Sequence, residues 1–473
     1  MLKSSLSSSI HLRSVKKYTP DDGNASTRVK SLEDTLTQII PICRKIGITR
    51  ISDITFLDKL YIPNYSAILP DTEDSIWVYS GKGPTKMHAI VSALMESIER
   101  YFSLPSTLSK NFIQGTYLDL SKIYKKVLHP NEVIEAIVPT YNDKESIIDY
   151  LPGFDLLNNE EILVPAQLVL SKFSAKPPST NAFLYSHTNG LASGNVLEEA
   201  ICHALFEVIE RDAVSIADLC SSSIPYSILE NILKSLRKEY NVCLIEQIPE
   251  DKFVDDSSIY PNVNISEIAD EFKPIKFLVK RFIDANISLL IKDITQKDIG
   301  IPTFVASSVE WITSDYGYFA KGYGTHLDSR IALIRAITEL SQTRAANIQG
   351  ARDDFKKIQY RDKDEIYKRK WEFMSTSSSN TYKNNNKTIR FSEIETYVKK
   401  DIRDDIKLVL NRLKKAGLKR AIIVDLTNSD IGIPVVRAIV PGLETFEIAK
   451  LFTSTDLFMG RRAKKHYQKI QNR

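Results

Sequence analysis

The sequence TNGLASGNVLEEAICHALFEVIERDA, residues 188–213, carries the pattern that decides the fold class. A glycine-containing segment leads into a run whose apolar residues recur at helical spacing, so the stretch predicts a loop followed by an α-helix. On that helix five polar residues fall within an arc of roughly 120°. They are Asn195, Glu199, His203, Glu207 and Glu210. Such a face either lies against water or forms part of a site, and one helix alone does not distinguish the two.

The same spacing occurs in SGKGPTKMHAIVSALMESIERY, residues 80–101. In each stretch a glycine is followed 13, 16 and 17 residues later by two acids and an arginine: Gly83, Glu96, Glu99 and Arg100 in one, and Gly194, Glu207, Glu210 and Arg211 in the other. A looser third copy begins at Gly322 and places Glu339 and Gln342 three residues apart. The chain is therefore internally duplicated, and each unit is predicted to be a glycine-containing loop followed by an acid-bearing helix.

A second repeat surrounds these helices. The sequence DITFLDKLYIPNYSA begins at Asp53, DITQKDIGIPTFVA at Asp293 and DLTNSDIGIPVVRA at Asp425. Each copy has a β-prone start, a break that contains Asp, and Ile-Pro before an alternating run. This pattern predicts a hairpin-like pair of strands in which Pro opens the second strand. The expected fold class is α/β, in the broad α+β sense, with repeated hairpin-plus-helix units around a cleft.

The composition is that of an ordinary globular protein, with 473 residues of which 43% are hydrophobic and 26% charged. The 63 basic and 59 acidic residues leave a net charge of +4, which is too small to indicate nucleic-acid binding. No apolar run approaches the ~18 residues of a membrane span. Four scattered cysteines favour a reducing compartment, and we expect a cytoplasmic protein.

Two helices that each carry paired acids suggest a cation site, because converging carboxylates repel one another unless cations lie between them. Mg2+ is the natural candidate, since it prefers a few carboxylates together with water and phosphate oxygens. Arg100 and Arg211 would then either neutralise the acids or bind a phosphate. The glycines before the helices would either cradle an anion or simply form turns.

Signatures of several other site classes are missing. The chain has no GxxxxGK followed by Ser or Thr and no GxGxxG after a strand, so neither a P-loop nor a Rossmann site is expected. The histidines lack HExxH spacing, and no GxSxG motif is present. Glycoside hydrolysis needs only two acids, and it leaves the duplication and the glycines unexplained.

The two helical stretches quoted above, together with GYGTHLDSRIALIRAITELSQTRAANIQGARDD at residues 322–354, closely resemble the YcaO-domain family. The resemblance runs from about Arg28 to Glu444, and it includes RKIGITRISDITFLD near the start and DIGIPVVRAIVPGLE near the end. It implies a YcaO-like fold around a nucleotide cleft. It also implies an enzyme that uses ATP and Mg2+ to phosphorylate the oxygen of a peptide-backbone amide, through a hemiorthoamide that collapses with loss of phosphate.

The resemblance implies roles for individual residues as well. The metal-binding acids of the family match Glu96, Glu99, Glu207 and Glu210. Its nucleotide-binding and third-motif positions match Arg28, Thr35, Ser92, Asn195, Glu199, Arg211, Arg335, Glu339, Gln342 and Arg344. Arg28 and Thr35 stand where the family often has a Lys and a Ser. Glu199, Arg211 and Arg335 are the candidates for a direct part in catalysis.

The resemblance also bears on the nucleophile. In azoline-forming cyclodehydratases the substrate's own Cys, Ser or Thr attacks, and those enzymes commonly end in a proline-rich PxPxP tail. This chain ends KKHYQKIQNR and has no obvious leader-binding extension before Arg28, so external sulfide and a peptide thioamide are expected. The motifs are most similar to those of stand-alone archaeal members implicated in thioamidation of a glycine in methyl-coenzyme M reductase.

The expected partners are a peptide or protein substrate, a sulfide donor and a TfuA-type protein, with a homodimer as the oligomeric state and with neither nucleic acid nor membrane. Two alternatives stay open. One is a cyclodehydratase that acts on a ribosomal peptide, and the other is a non-catalytic, nucleotide-binding scaffold. Retention of all the motif acids disfavours the scaffold.

Four segments describe the predicted organisation. Residues 1–27 are Ser-rich and basic and form a flexible tail, and residues 28–371 form the catalytic core. Residues 372–390 form a loop or linker that begins with the Ser/Asn-rich EFMSTSSSNTYKNNNK. Residues 391–473 complete the same domain, with a helix expected from Ile394 to Lys415 and a strand from Arg420 to Leu426.

Overall fold

The computed structural model describes residues 9–19, 28–74, 76–108, 112–133, 140–171, 182–183, 187–221, 260–311, 317–349 and 388–445. The helices are α1 (Leu32–Ile46), α2 (Lys86–Phe102), α3 (Tyr117–Ile123), α4 (Ala166–Val169), α5 (Leu197–Ser221), α6 (Ser266–Glu271), α7 (Lys273–Asp284), α8 (Ser329–Gln349) and α9 (Ile402–Lys415). Short 3-10 helices cover Thr55–Leu57, Pro105–Thr107, Pro130–Glu132 and Phe391–Glu393. None of the helices in these ranges is both long and apolar enough to span a bilayer.

The strands are β1 (Arg50–Asp53), β2 (Asn64–Ile68), β3 (Val78–Lys82), β4 (Ile113–Gly115), β5 (Ile148–Asp155), β6 (Glu160–Pro165), β7 (Leu191–Ser193), β8 (Asn262–Asn264), β9 (Leu290–Asp293), β10 (Thr303–Trp311), β11 (Gly317–Thr325), β12 (Thr388–Arg390), β13 (Ile422–Asp425) and β14 (Val435–Ile439). Within the described ranges they form three sheets, with the orders β1-β2-β3, β11-β10-β9-β8-β12 and β4-β5-β13-β14-β7, and β6 pairs with β5. The predicted mixture of helices and sheets is confirmed.

All three hairpins predicted from the Asp repeat are present as antiparallel pairs, namely β1–β2, β9–β10 and β13–β14. Each turn uses the same hydrogen bonds. The Asp carboxylate accepts from the backbone N–H of the Thr two residues later, at 2.9 to 3.0 Å, in the pairs Asp53–Thr55, Asp293–Thr295 and Asp425–Thr427. Each Thr hydroxyl then accepts from the backbone N–H of the residue after Pro, which opens the second strand. Local side-chain bonds therefore fix the three turns.

Each hairpin gains a third antiparallel strand, and a helix follows that strand. The three units are β1-β2-β3 with α2, β9-β10-β11 with α8, and β13-β14-β7 with α5. The third unit joins a hairpin from the end of the described chain to a strand and helix from its middle. Each helix also packs on the third strand of another unit, since α2 contacts β7, α5 contacts β11 and α8 contacts β3. The three units are therefore linked in a closed cyclic order.

Three glycines that were expected in loops lie inside strands instead, at Gly81 in β3 and at Gly322 and Gly324 in β11. A Cβ added at Gly81 would lie 2.1 Å from the backbone nitrogen of Ala93. One added at Gly324 would lie 2.0 Å from the carbonyl oxygen of Ala332. The lack of a side chain thus lets each helix lie directly on the strand that precedes it. The prediction of glycine loops is wrong at these positions, and close packing explains the glycines.

The helices start at capping residues and hold their apolar sides in the core. The hydroxyls of Ser31 and Thr85 each accept a hydrogen bond from the backbone N–H three residues later, at the start of α1 and α2. The apolar sides of α2, α5 and α8 join clusters of buried side chains that include the neighbouring strands. This packing fixes the helices, and with them the polar residues of their later turns.

The N-terminal segment 9–19 lies in the region that was predicted to be a flexible tail. Ile10 is nevertheless buried in the cluster around α5, and Lys17 Nζ lies 2.5 Å from Oδ2 of the buried Asp405. The backbone N–H of Arg13 also donates to Glu198 Oε1 at 2.8 Å. These contacts hold the segment on the core, which differs from the expectation.

The C-terminal part differs from its prediction at two places. Strand β12 (Thr388–Arg390), which pairs with β8, lies inside the predicted loop or linker at residues 372–390. Helix α9 begins at Ile402 rather than at Ile394, because Asp401 caps it and a 3-10 helix precedes it at Phe391–Glu393. Strand β13 lies inside the predicted strand region. The Ser/Asn-rich stretch at residues 372–387 lies outside the described residues.

Candidate active site

The four acids that were predicted to bind metal are Glu96 and Glu99 on α2 and Glu207 and Glu210 on α5. The second acid of each pair is buried and accepts a backbone hydrogen bond from another unit. Glu99 Oε2 accepts from the N–H of Ser193, at the end of β7, at 3.0 Å. Glu210 Oε2 accepts from the N–H of Thr325, at the end of β11, at 3.0 Å. The second acid of each pair is therefore held by the cyclic packing of the units rather than directed into bulk solvent.

Helix α8 repeats this arrangement with an amide in place of the second acid. Gln342 Nε2 donates to the carbonyl oxygen of Ser80 in β3. The first residue of the pair on α8, Glu339, accepts hydrogen bonds from the backbone N–H of Tyr323 at 3.3 Å and from Lys82 Nζ. In all three helices the second residue of the pair thus bonds to the third strand of the neighbouring unit.

Burial and repulsion between neighbouring carboxylates raise the pKa of Glu99, Glu207 and Glu210. Burial, followed by the charges of Glu96 and Glu207, raises the pKa of Glu99 well above its usual value. Burial raises the pKa of Glu207 to about 7, and Glu96 adds to the shift. Burial and then Glu339 raise the pKa of Glu210. Carboxylates from all three helices are close enough to affect one another, and bound cations would relieve that repulsion.

The two arginines of the duplicated motif lie in different surroundings. Arg100 Nε and Nη2 donate to Asp74 Oδ2 at 3.0 and 2.7 Å, so a buried partner occupies this guanidinium. Burial alone would lower the pKa of Arg211, but the charges of Glu210 and Glu207 outweigh that effect and raise it. Arg211 Nε is buried and has no hydrogen-bond partner among the described residues. Both arginines therefore lie near acids, but Arg100 is held by Asp74, whereas Arg211 keeps a buried Nε that no described residue accepts from.

Arg335 on α8 also has a buried Nε for which the described part of the chain offers no acceptor. Its Nη1 donates to His203 Nε2 at 3.1 Å. Because a guanidinium cannot accept, the His203 ring accepts at Nε2 and carries its proton on Nδ1. Burial, followed by the charge of Arg335, lowers the pKa of His203 well below its usual value, which agrees with a neutral ring.

Four predicted nucleotide-binding residues meet near the start of α5. Arg28 Nη1 donates to Glu199 Oε1 at 2.8 Å across 171 residues of sequence. Asn195 Nδ2 lies 3.3 Å from both carboxylate oxygens of Glu199. The Thr35 hydroxyl donates to Asn195 Oδ1 at 3.1 Å. The structure therefore brings Arg28, Thr35, Asn195 and Glu199 together, although they are far apart in sequence.

Two other predicted nucleotide-binding residues are less closely joined to the site. Ser92 is half-buried on α2, one helical turn before Glu96. Arg344 is buried, and its Nε and Nη2 donate to Asp58 Oδ2 and Oδ1 at 2.8 Å each. This bidentate pair ties α8 to the first hairpin turn, and Arg344 is not among the main charges that shift the pKa of the acids.

Sequence reasoning missed Lys82, Asp74, His203 and Arg437. Arg437 is fully buried on β14, and its charge acts on Glu207. Lys82 and Arg437 lie in the repeated motifs, and that position was the available signal. His203 lies on the predicted polar face of α5, but the sequence pattern assigns it no role. Asp74 lies in no repeat, so only the fold reveals its pairing with an arginine.

A small cleft with a cavity volume of about 30 Å3 opens beside Arg211. Apolar side chains such as Val133, Leu168 and Val208 line much of it, together with the buried Arg437. The cleft therefore joins an apolar surface to a strongly charged one, which is the usual character of a small-molecule or peptide site.

The residues fit Mg2+ together with a polyphosphate. Within the ranges that the structure describes, no three His, Cys, Asp or Glu side chains could hold a metal ion alone. Mg2+ does not require such a cage, because it keeps several waters and takes oxygens from phosphates. The carboxylates with raised pKa would supply protein oxygens, and the unpaired Nε atoms of Arg211 and Arg335 would supply donors to phosphate.

Two relatives match most of the chain. An uncharacterized protein of Methanothermobacter thermautotrophicus is 32% identical over 409 residues, which cover 85% of this chain and 91% of that protein. An uncharacterized protein in the tfuA 3′ region of Rhizobium leguminosarum bv. trifolii is 28% identical over 424 residues, with 87% of each chain covered.

Solved structures share the fold. A heterocyclase in complex with substrate and cofactor has a TM-score of 0.68 at 21% identity, and the match covers 93% of this chain but only 55% of that one. YcaO from Methanopyrus kandleri, bound with AMPPCP and Mg2+, has a TM-score of 0.60 at 21% identity over 88% of this chain and 92% of that one. The sequence model of the YcaO family, described as an ATP- and Mg2+-binding cyclodehydratase, matches residues 80–444. The chain with these three interlocked units therefore belongs to the YcaO family, which binds ATP and Mg2+.

Proposed function

We propose that this protein is a cytoplasmic, ATP-dependent peptide-backbone thioamide synthetase. The amide oxygen attacks the γ-phosphorus of ATP, and ADP leaves. Hydrosulfide then adds to the activated carbonyl carbon, and the C–O bond breaks so that the former amide oxygen departs with phosphate. The net change converts an amide, ATP and hydrosulfide into a thioamide, ADP and phosphate.

The observation that carries the proposal is the meeting of acids from three helices beside Arg211 and Arg335, whose Nε atoms are buried. A triphosphate needs both kinds of residue, because its charge is shared between metal ions and direct donors. Burial and neighbouring carboxylates raise the pKa of Glu99, Glu207 and Glu210, and bound Mg2+ would offset that repulsion. A purely structural cluster would be expected to pair its charges internally.

Different residues of the chain would bind the metal, the phosphates and the rest of the nucleotide. Glu96, Glu99, Glu207 and Glu210 would hold Mg2+, which offsets charge at the transferring phosphoryl group. Arg211 and Arg335 would donate to phosphate oxygens and orient the γ-phosphate toward the amide oxygen. The group of Arg28, Thr35, Asn195 and Glu199 would complete the nucleotide site. Glu339, paired with Lys82, would complete the ring of acids.

The peptide would lie in the cleft beside Arg211. The small cleft is lined mainly by apolar side chains and by Arg211, which lies among the acids, so a backbone carbonyl at its mouth would be close to the phosphate-binding residues.

Sulfide as the nucleophile is supported by the relative from the tfuA 3′ region, which suggests a TfuA-type partner for this chain too. A cyclodehydratase is the second candidate, because the family description uses that term and the heterocyclase shares the fold. A non-catalytic scaffold is disfavoured by the retention of every motif acid. A homodimer and a separate sulfide donor belong to the same proposal.

The deciding experiment uses two peptides. A glycine-containing peptide without Cys, Ser or Thr is incubated with the protein, ATP, Mg2+ and sulfide, with and without the TfuA-type protein. We expect phosphate release and a gain of about 16 mass units, since sulfur replaces oxygen while the metal-assisted phosphoryl transfer proceeds. A second peptide with Cys, Ser and Thr is tested without sulfide, where cyclodehydration would remove about 18 mass units.

Two variants serve as controls in this assay. Glu207→Gln should lose both signals, whereas Glu267→Gln changes an exposed acid of α6 and should retain them. Loss of 18 mass units without any gain of 16 would make the protein a cyclodehydratase. Failure of both peptides to cause phosphate release, with or without the partner, would leave the scaffold as the better account.

A further inference from the structure

The three hairpin turns offer an internal comparison, because the same Asp and Thr hydrogen bonds build each of them. The residues three and four places after the Asp are Phe56 and Leu57 in the first turn, Gln296 and Lys297 in the second, and Asn428 and Ser429 in the third. The first turn alone is apolar at both places. Its sequence therefore departs from the other two where the backbone construction does not require it.

A second difference lies two residues before the Pro. Gly300 and Gly432 occupy this place in the second and third turns, with φ of 67° and 74°. Tyr61 occupies it in the first turn, with φ of 49°. Glycine adopts this left-handed conformation without steric cost, whereas tyrosine does not. The first turn thus keeps a large aromatic side chain at a position where glycine would lower the steric cost of the left-handed backbone conformation.

The tyrosine is not needed to fill the core. The exposed fractions of Phe56, Leu57 and Tyr61 are 76%, 46% and 45%. The rings of Phe56 and Tyr61 lie 5.8 Å apart, which makes them one continuous surface. The alternate residues Leu60 and Ile62 are fully buried and supply the packing of this turn. The exposed side chains and the backbone strain are therefore unexplained by folding alone, and such features concentrate at functional surfaces.

This surface is firmly attached to a helix of the candidate active site. Asp58, within the turn, binds Arg344 of α8 through two hydrogen bonds of 2.8 Å. Asn64 Nδ2, at the start of β2, donates to the hydroxyl of Ser341 on α8 at 2.8 Å. Helix α8 also carries Arg335 and Glu339. A partner bound to this turn would therefore be coupled, through these hydrogen bonds, to the helix that carries Arg335 and Glu339.

We propose that Phe56, Leu57 and Tyr61 form the docking surface for a separate partner protein with an apolar binding site. The three side chains expose roughly 300 Å2, at about 200 Å2 for a large side chain, which suits the centre of a small interface. A stable homodimer needs about 800 Å2 on each copy, so this surface favours a weak, reversible complex with another protein.

The candidate for the test is the TfuA-type protein, so the choice of partner rests on the proposed function. The full-length chain and that protein are purified, and their Kd is measured by biolayer interferometry. The double variant Phe56→Asn with Leu57→Ser installs the residues of the third turn. We expect it to weaken binding at least tenfold and to leave partner-free ATP hydrolysis unchanged. Ile283→Lys, at a 71% exposed position on α7, is the matched control and should bind normally.

Tyr61→Gly separates docking from a structural role. It installs the glycine of the other two turns, so it should weaken binding while the melting temperature stays the same or rises. A lower melting temperature with unchanged Kd would overturn the proposal, because the tyrosine would then serve folding. So would a wild-type chain that does not bind the TfuA-type protein, or a wild-type dimer that the double variant dissociates. Amide activation is measured separately without the partner, so failure of the proposed function is distinguishable from failure of docking.

Discussion

Helices α2 and α5 carry the same spacing of two acids and an arginine, yet the structure uses the two arginines differently. Arg100 on α2 is bound by Asp74, whereas Arg211 on α5 lies among acids and keeps an unpaired, buried Nε. The acids remain equivalent, since Glu99 and Glu210 each accept a backbone N–H from the neighbouring unit. The comparison teaches that the two copies of a duplicated motif can hold their acids in the same way while their arginines differ. One arginine then has a structural role, and the other belongs to the site.

The largest expected effect concerns the acids that both helices retain. Glu96→Gln and Glu207→Gln should each lower ATP turnover by at least about 1,000-fold, because loss of one carboxylate weakens the hold on Mg2+ at the phosphoryl group. Each is checked by phosphate release and by circular dichroism. Normal turnover in folded Glu207→Gln would show that this acid has no part in metal binding.

The second prediction tests the separation of the arginines. Arg211→Gln should lower turnover by about 100-fold, since a donor to the phosphates is lost, as expected for one electrostatic contact to the transition state. Steady-state kinetics over a range of ATP concentrations gives kcat and KM. A variant with wild-type kinetics would place Arg211 on the structural side with Arg100.

The third prediction is the reverse case on α2. Arg100→Gln should destabilise the fold by about 3 kcal/mol, because it leaves Asp74 as a buried charge without its partner. Urea unfolding measures the change, and turnover per folded molecule should stay within a few-fold of wild type. If Arg100→Gln and Arg211→Gln behaved alike in both assays, the contrast between the helices would not hold.

The fourth prediction uses the third helix. Gln342→Ala should cost about 1 kcal/mol, since it removes the hydrogen bond to the carbonyl oxygen of Ser80 that ties α8 to β3. The free energy of unfolding measures this effect. Gln342→Glu should be no better than Ala, because a carboxylate cannot donate to that carbonyl.

The smallest expected effect is the release of a proton when Mg2+ and nucleotide bind. Burial raises the pKa of Glu207 to about 7, so the ligand-free protein holds a proton there below neutral pH. Binding of Mg2+ with a nonhydrolysable ATP analogue at pH 6.5 should release up to about one proton, because metal ligands bind deprotonated. Calorimetry in buffers of different ionisation enthalpy measures the release, and Glu207→Gln should reduce it.

Much of the fold could be predicted from short-range patterns. The three hairpins follow from the Asp repeat because each turn is built by side chains within two residues of the Asp. The helices follow from apolar periodicity, and α5 in particular from residues 197–213. The glycines were misjudged because a residue without a side chain is equally compatible with a turn and with close helix packing, and only the neighbouring helix distinguishes these.

The candidate site was predictable to a smaller extent. The acids and the group around Glu199 were found through the duplicated motif and the family resemblance, and the structure brings them together. Arg344 was expected beside the nucleotide but pairs with Asp58. His203 gave no clear signal, because its neutral state depends on burial and on Arg335. Contacts of this kind join residues more than 100 positions apart, which local patterns do not encode.

By itself, the sequence determined the local elements: the Asp-Thr turns, the helical faces and the spacing of the acids, since these depend on hydrogen bonds and side-chain periodicity over a few residues. Only the tertiary structure decided that the hairpin at β13–β14 joins β7 and α5 to complete a third unit, and that each helix bonds to the strand of its neighbour. The reason is that the cyclic closure depends on pairing between strands that are distant in sequence. The geometry of that pairing decides that Arg100 meets a carboxylate partner and that Arg211 faces the site.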